Sequence, residues 1–404
     1  MKIGLAVAAL SAVIYWLCDR LFDAGRGDFF YLADAFLHGR TWLPVPLGPN
    51  DVIPIDGRYY VPFAPFPAIA LMPLVALIGP VTADHLESGI NAILAGAGVG
   101  MCWWLLGRVG IKRVSDKVWL SALFGFSTQM LWVTTRGGVW HTGQLIATLL
   151  TFACLIELFG RQRAWLIGLC AGAAFLTRAP LAFAIPVYAV WIAWPSDRRP
   201  VAVDGDPEPS FITQVREIPP WRRWTVFALA LVPSILFFFA YDQVRFGSPL
   251  ESGYALATLP DWLEQQRQIG LFSIRHIPMN IEYFLLHLPR FMTTWPFLRP
   301  DGLGMSVLLT SPGLLFALRA DWRRPQAWCL AAATILVLIP TLLYYGGGWL
   351  QFGYRYFLDS IPFVWAIGVL GVVRRGHVPW WGWTLILWSV LIGMTSVYWA
   401  YNLH

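Results

Sequence analysis

Eleven apolar runs, each of about membrane-crossing length, leave this chain little choice of fold. They lie near 3–22, 88–107, 118–134, 143–160, 164–178, 179–194, 224–241, 302–318, 327–345, 357–373 and 380–400. A helix needs roughly 17 to 25 apolar residues to cross about 30 Å of hydrocarbon, and the shortest runs here sit just below that. Lipid offers no partner to backbone amides and carbonyls, so such a run must bond within itself, as a helix does. The expected fold class is all-α: a polytopic membrane protein of about eleven transmembrane helices. Composition agrees, because apolar residues make up 57% of the chain and charged residues only 13%, where soluble domains carry roughly 25% charge.

The loops between the runs set the topology. Lys and Arg gather from Arg108 to Lys117, at Arg161 and Arg163, from Arg198 to Arg223, from Arg319 to Arg324, and at Arg374 and Arg375, which marks five cytoplasmic loops. The same clustering assigns the net charge of +6 to the membrane and not to nucleic acid. With Lys2 inside, alternation places all of residues 23–87 on the outer side, so a twelfth apolar run at 63–79 should not cross. Its Pro62, Pro65, Pro67 and Pro73 are expected to break a helix, as suits a re-entrant or surface-lying piece. Residues 195–223, rich in Pro, Asp, Glu and Arg, read as a cytoplasmic linker. They separate an N-terminal membrane half, 1–194, from a C-terminal half, 224–404, which carries an outer loop at 242–301.

Other features fit the same frame. Trp103, Trp104, Trp191, Trp194, Trp221, Trp224, Trp380 and Trp381 crowd span ends as an aromatic belt. The five cysteines, Cys18, Cys102, Cys154, Cys170 and Cys329, lie in apolar segments without metal or redox spacing and read as core residues. No small-x-small cleavage site follows the first run, and bulky Leu17 precedes Cys18, so this run is expected to stay as the first span. No internal repeat of fixed period is visible.

The first outer loop opens on a polar stretch with helical spacing. Between Arg26 and Arg40, apolar residues fall at Phe29, Leu32, Ala33, Phe36 and Leu37, one face of a helix. Asp28 stands at the expected N-cap and Gly39 at the expected stop. With Asp34, His38 and Arg40 off the stripe, an amphipathic juxtamembrane helix lying on the bilayer is expected. Asp28 is then either a cap or a general base toward a hydroxyl or amine, its pKa raised by apolar neighbours. Asp23 and Asp56 are rivals, and Asp56 carries a turn signature.

Four more pieces reach the same face: the turn from Arg136 to His141, the turn at Thr177 and Arg178, the loop 242–301, and the Gly-rich turn from Gly346 to Tyr356. His141, at the mouth of a span, suits either a catalyst or a structural hydrogen-bonding group. Arg178, Arg245 and Arg355 stand at outer span ends, where arginine either snorkels or clamps a lipid phosphate through its planar fork. Ionisable groups near a membrane boundary mark function, so the outer face is the expected working face. No metal-ligand cluster, P-loop, catalytic-triad order or dinucleotide fingerprint occurs.

Together these stretches resemble the GT-C superfamily of membrane glycosyltransferases, which contains the protein O-mannosyltransferases and the lipid A aminoarabinose transferase. The likeness lies in Gly27 to Gly39, in Asp56 to Pro67, and in Gly168 to Pro180 with its Leu-Thr-Arg-x-Pro ending. It continues in Arg245 to Leu250 and in Gly353 to Tyr356. The resemblance implies an inverting transfer of sugar from a polyprenyl-phosphate donor to a lipid, glycan or protein acceptor. The base role of the family falls on Asp28 here; with it, His141 is the second candidate catalytic residue, and Arg178, Arg245, Arg355, Tyr31, Asp56 and Tyr60 are the candidate substrate-binding residues. A divalent metal ion is the one cofactor left open. Localisation is expected in the cell (inner) membrane with an extracytoplasmic site. The chain departs from the mannosyltransferase pattern in having Phe29 where an Asp-Glu pair would place Glu. A transporter or flippase for a lipid-linked or anionic solute is the rival reading, and a non-catalytic assembly subunit a third.

Overall fold

A computed structural model describes residues 2–19, 27–47, 52–193, 219–294, 297–300, 302–349 and 351–402. Asp23 and the expected linker up to residue 218 lie outside the described residues. The fold is mostly helical, and six helices are long and apolar enough to cross a membrane. These are α1 (Lys2–Asp19), α5 (Glu87–Val109), α8 (Val139–Leu158), α11 (Pro220–Phe246), α15 (Pro325–Leu343) and α17 (Trp380–Asn402). They mark a multi-pass membrane protein.

The other five expected runs are helical but short or interrupted. The run at 118–134 is divided into α6 (Val114–Phe126) and α7 (Gln129–Arg136). The break is stabilised by Thr128, whose hydroxyl donates to the Phe124 carbonyl at 2.6 Å and accepts from the Met130 amide at 3.2 Å. Backbone groups freed inside the bundle thus find partners. The run at 164–178 gives α9 (Ala164–Phe175), and a 3-10 turn, Ala179–Ala184, leads into α10 (Ile185–Ala193). The run at 302–318 gives the single turn α14 (Val307–Thr310) and a 3-10 segment, Pro312–Arg319. The last gives a 3-10 turn, Arg355–Asp359, and α16 (Ile361–Arg375).

Several expectations are corrected. Residues 63–79 contain a continuous helix, α3 (Phe66–Ile78), despite the prolines. Pro67 sits in its first turn, where no intrahelical amide bond is lost, and only Pro73 falls in its interior. At 13 residues it is about 20 Å long. Residues 220–223 belong to α11 and not to a linker. The all-α expectation omits two small hairpins. One pairs β1 (Ile53–Ile55) with β2 (Arg58–Tyr60) across Asp56 and Gly57, whose φ angles are +49° and +74°. Two consecutive positive φ angles define the type I′ hairpin turn that Asp-Gly favours. The other pairs β3 (Arg290–Phe291) with β4 (Leu298–Arg299).

The helix expected after Arg26 is α2 (Asp28–Leu37). Gly39, at φ +70°, ends it, with Arg40 N donating to the Ala35 carbonyl and Gly39 N to the Phe36 carbonyl, the Schellman pattern. Its buried side differs from the expected stripe: Phe30 and Ala35 are buried with Phe29, Leu32 and Ala33, while Leu37 is exposed. The cause is packing on two sides, against α3 and against α4 (Pro80–His85), where a single apolar face would have served a helix lying on a flat surface.

Close helix packing is set by small residues. A Cβ placed on Gly96 of α5 would lie 2.5 Å from the Ala8 carbonyl oxygen, and one on Gly100 would lie 2.8 Å from Ala8 Cβ. Gly168 and Gly172 play the same part where α9 meets α11. Such seams let backbones approach where lipid gives no hydrophobic drive between helices. Gly96→Ala is expected to lose about 1–3 kcal/mol through overpacking. Gly89→Ala, on the same helix with nothing within 4 Å, should be neutral or gain about 0.5–1 kcal/mol. Denaturant unfolding in detergent micelles compares the two.

Candidate functional site

The N-terminal turn of α8 is the hub of the site. It follows Gly137 and Gly138 and presents Trp140, His141, Thr142 and Gln144 in succession. On one side stands an acidic group. The Thr142 hydroxyl donates to Glu87 Oε1 at 2.9 Å and also contacts the Asn91 side-chain amide at 3.0 Å. Glu87, the first residue of α5, is wholly buried, and the charges of Asp84 and Asp28 bear on it. Phe29 packs against Gly143, which draws the start of α2 to the start of α8.

Asp28 is not the N-cap. Gly27 holds that position without a side-chain bond, and Asp28 is the first helical residue, only 1% exposed. The capping role passes to Asp84 of α4, whose Oδ1 accepts from the Gly27 amide at 2.9 Å and whose Oδ2 accepts from the Tyr31 hydroxyl at 3.2 Å. A carboxylate borrowed from another helix thus meets the free amides of α2. Tyr31 is occupied in the same contact.

The three arginines have different surroundings, Arg178 and Arg355 near the hub and Arg245 by the β1–β2 hairpin. Arg178 Nε donates to both oxygens of Asp359, at 2.9 and 2.8 Å, in a pair that joins the two halves of the chain. Arg245 is enclosed: its Nη2 donates to Asp242 Oδ1 at 2.5 Å and its Nη1 to the Val61 carbonyl at 2.7 Å. The rings of Tyr241 and Phe246 lie 3.9 and 4.6 Å from its Cζ. Arg355 has no carboxylate within ion-pair reach among the described residues. Its guanidinium carbon lies 4.8 Å from the Trp140 ring and 5.1 Å from the Tyr356 ring. It is 6% exposed, and its Nε and Nη1 have no hydrogen-bond partner among the described residues.

Arg355 is held from behind. Its carbonyl accepts from Gln144 Nε2 at 2.9 Å, and its amide donates to Gln351 Oε1 at 3.1 Å. Gln351 Nε2 in turn donates to the carbonyls of Leu303 and Gly347, which fixes the Gly-rich turn as a cradle for the arginine. Burial raises the Tyr254 phenol to about 12, against the pull of Arg178 and Arg245, so it remains a neutral hydroxyl at physiological pH.

Apart from Tyr31, bonded to Asp84, the residues chosen from sequence fall into two groups. Asp28, His141, Arg178 and Arg355 gather around the start of α8. Asp56, Tyr60 and Arg245 belong to a hairpin latch, the β1–β2 hairpin tied to α11 by the bond from Arg245 to the Val61 carbonyl, with Asp56 exposed at its tip and Tyr60 buried against Phe246. Sequence reasoning missed Glu87, Asp84, Asp359, Gln144 and Gln351. Glu87 carried a usable signal, an acid at the first position of an apolar run. Among the described residues no group of three or more His, Cys, Asp or Glu could hold a metal ion, so the divalent ion left open has no ready ligand set there. At the opposite end of α8, Glu157 is paired with Arg163 at 2.6 Å, a structural contact. Comparison of the chain with protein-family models, with curated proteins and with solved structures returns no match.

Proposed function

We propose that the chain is an integral-membrane inverting glycosyltransferase that moves a sugar from a polyprenyl-phosphate donor to an acceptor hydroxyl or amine. The observation that carries this reading is the Arg355 guanidinium: buried, backed by aromatic rings, and with two nitrogens unpartnered among the described residues. A buried guanidinium without a counter-ion calls for an anion, and a phosphodiester offers the paired oxygens its fork fits. An acidic group stands across the α8 turn. Asp28 takes the acceptor's proton as its oxygen or nitrogen bonds the anomeric carbon. The bond from that carbon to the phosphate oxygen breaks, and the phosphate leaves on Arg355. We read the six long helices and the five shorter or broken segments as eleven crossings, with the site on the extracytoplasmic face of the cell membrane.

Incubation of the purified protein with radiolabelled polyprenyl-phosphate sugars and an acceptor membrane extract should release polyprenyl phosphate and label the extract. Arg355→Ala should weaken binding of a non-hydrolysable donor analogue by about 2 kcal/mol, roughly thirtyfold, and Arg355→Lys should restore part of it. Equal affinity in wild type and Arg355→Ala would remove the phosphate from this site. The interrupted α6–α7 passage, with both polar atoms of Gln129 buried and unpartnered among the described residues, favours the transporter reading, since broken helices line transport paths. Transport would carry the labelled donor into vesicles intact, without releasing polyprenyl phosphate.

A further inference from the structure

His141 stands beside Arg355 with one ring nitrogen spoken for and the other free. Its Nδ1 is bonded to the Gly137 carbonyl. A carbonyl only accepts, so Nδ1 carries the proton and the neutral ring presents a lone pair at Nε2. The residue is 5% exposed, and Nε2 has no hydrogen-bond partner among the described residues. The charges of Arg355, Arg136 and Arg178 bear on the ring, Arg355 most strongly, which leaves Nε2 as an acceptor in a setting crowded with donors. Trp140, the residue before His141, lies 4.8 Å from the Arg355 guanidinium, and the Arg355 charge reaches the His141 ring itself, which brings the lone pair and the guanidinium into one site.

We propose that His141 is the sugar-reading residue of that site, its Nε2 accepting a hydrogen bond from a hydroxyl of the phosphate-linked sugar. The inference rests on the assignment of Arg355 to the donor phosphate. A sugar is joined directly to that phosphate, so its ring hydroxyls are the ligand's own donors within reach of a group in the Arg355 site. The polyprenyl chain has nothing to offer a lone pair, and packing it there would leave a buried acceptor unmet. A site built to receive a hydroxyl rejects a ligand that lacks it. His141 therefore makes the enzyme prefer a loaded carrier over the spent one, which aids release of the product lipid.

The test compares bare short-chain polyprenyl phosphate with its mannosyl, glucosyl and arabinosyl esters, binding each to wild type, His141→Phe and His141→Gln protein in detergent. At least one ester should bind wild type about ten- to a hundredfold more tightly than the bare lipid, the range of one buried hydrogen bond. His141→Phe should erase that margin, and His141→Gln, which keeps an acceptor, should retain part of it. If the His141→Phe protein does not fold, 15N-histidine spectra of wild type decide: the unprotonated Nε2 signal lost in His141→Gln should shift with an ester and not with bare lipid. Wild type that binds bare lipid through Arg355 but no ester more tightly overturns the sugar-reading role alone, as does a margin that survives in His141→Phe. Wild type that binds neither lipid overturns the phosphate assignment as well.

Discussion

Asp28→Asn is expected to lower sugar-transfer turnover by about a hundred- to ten-thousandfold, the range associated with loss of a general base. Amide and carboxylate have nearly the same shape, so the start of α2 should keep its place against α3 and α4. Donor binding should change little if, as proposed, the phosphate is held by Arg355. The structure sharpens the alternative. Asp28 is the first helical residue and not the cap, so a purely structural role amounts to a carboxylate near a helix N-terminus, about 0.3–1 kcal/mol, with the rate intact. Asp34→Asn is the control: its carboxylate is part-exposed and lies 3.6 Å from His38 on the same helix, and its loss should leave turnover within about twofold of wild type. Single-turnover measurement with bound donor separates chemistry from binding. A folded Asp28→Asn protein with wild-type turnover would move the base elsewhere, with Glu87 next in line.

The second large effect concerns stability. Asp359→Ala is expected to destabilise the fold by about 3–5 kcal/mol, because it strands the Arg178 guanidinium at a buried position. The pair is fully formed, with the Asp359 side chain 1% exposed and that of Arg178 18% exposed. It also bridges positions 181 residues apart, so its loss loosens the joint between the halves and not one helix alone. Asp359→Asn should do less harm, since an amide oxygen still meets the guanidinium. The double variant Arg178→Met with Asp359→Leu should recover most of the loss, as apolar replacements of buried ion pairs often do. Denaturation in detergent, followed by tryptophan fluorescence, compares the four proteins. An unchanged midpoint for Asp359→Ala would mean that Arg178 finds another anion on the spot.

These two carboxylates show what the sequence makes legible. That a helix begins near Asp28 was readable from local signals, its apolar spacing and its glycine stop, though Asp28 is its first residue and not the expected N-cap. Its cap was not, because that carboxylate, Asp84, comes from a helix 57 residues away. The three arginines looked alike in sequence, each at the end of an apolar run. Only packing separates them, since Asp359 and Asp242 neutralise two while aromatic rings enclose the third. Asp242 lies three residues from Arg245, so that pair was within reach of helix spacing. The span count met a similar limit. Hydropathy sees the run at 118–134 as continuous, whereas Thr128 supplies the hydroxyl that lets the backbone break inside it.

The hairpin latch imposes an order on synthesis. Val61, whose carbonyl Arg245 holds, emerges from the ribosome 184 residues before its partner. At about 5–20 residues per second, the first loop waits roughly ten to forty seconds for its anchor. During that interval Tyr60 lacks Phe246, and Ile53 lacks Ala257, its companion in the small cluster beneath the hairpin. The acid end of the site is therefore translated early and seated late. A nascent chain that has inserted α1 to α10 carries Asp28 but lacks both the latch and the Arg355 cradle. Asp28 and the turn that holds Arg355 then meet only when the last third of the polypeptide has been made.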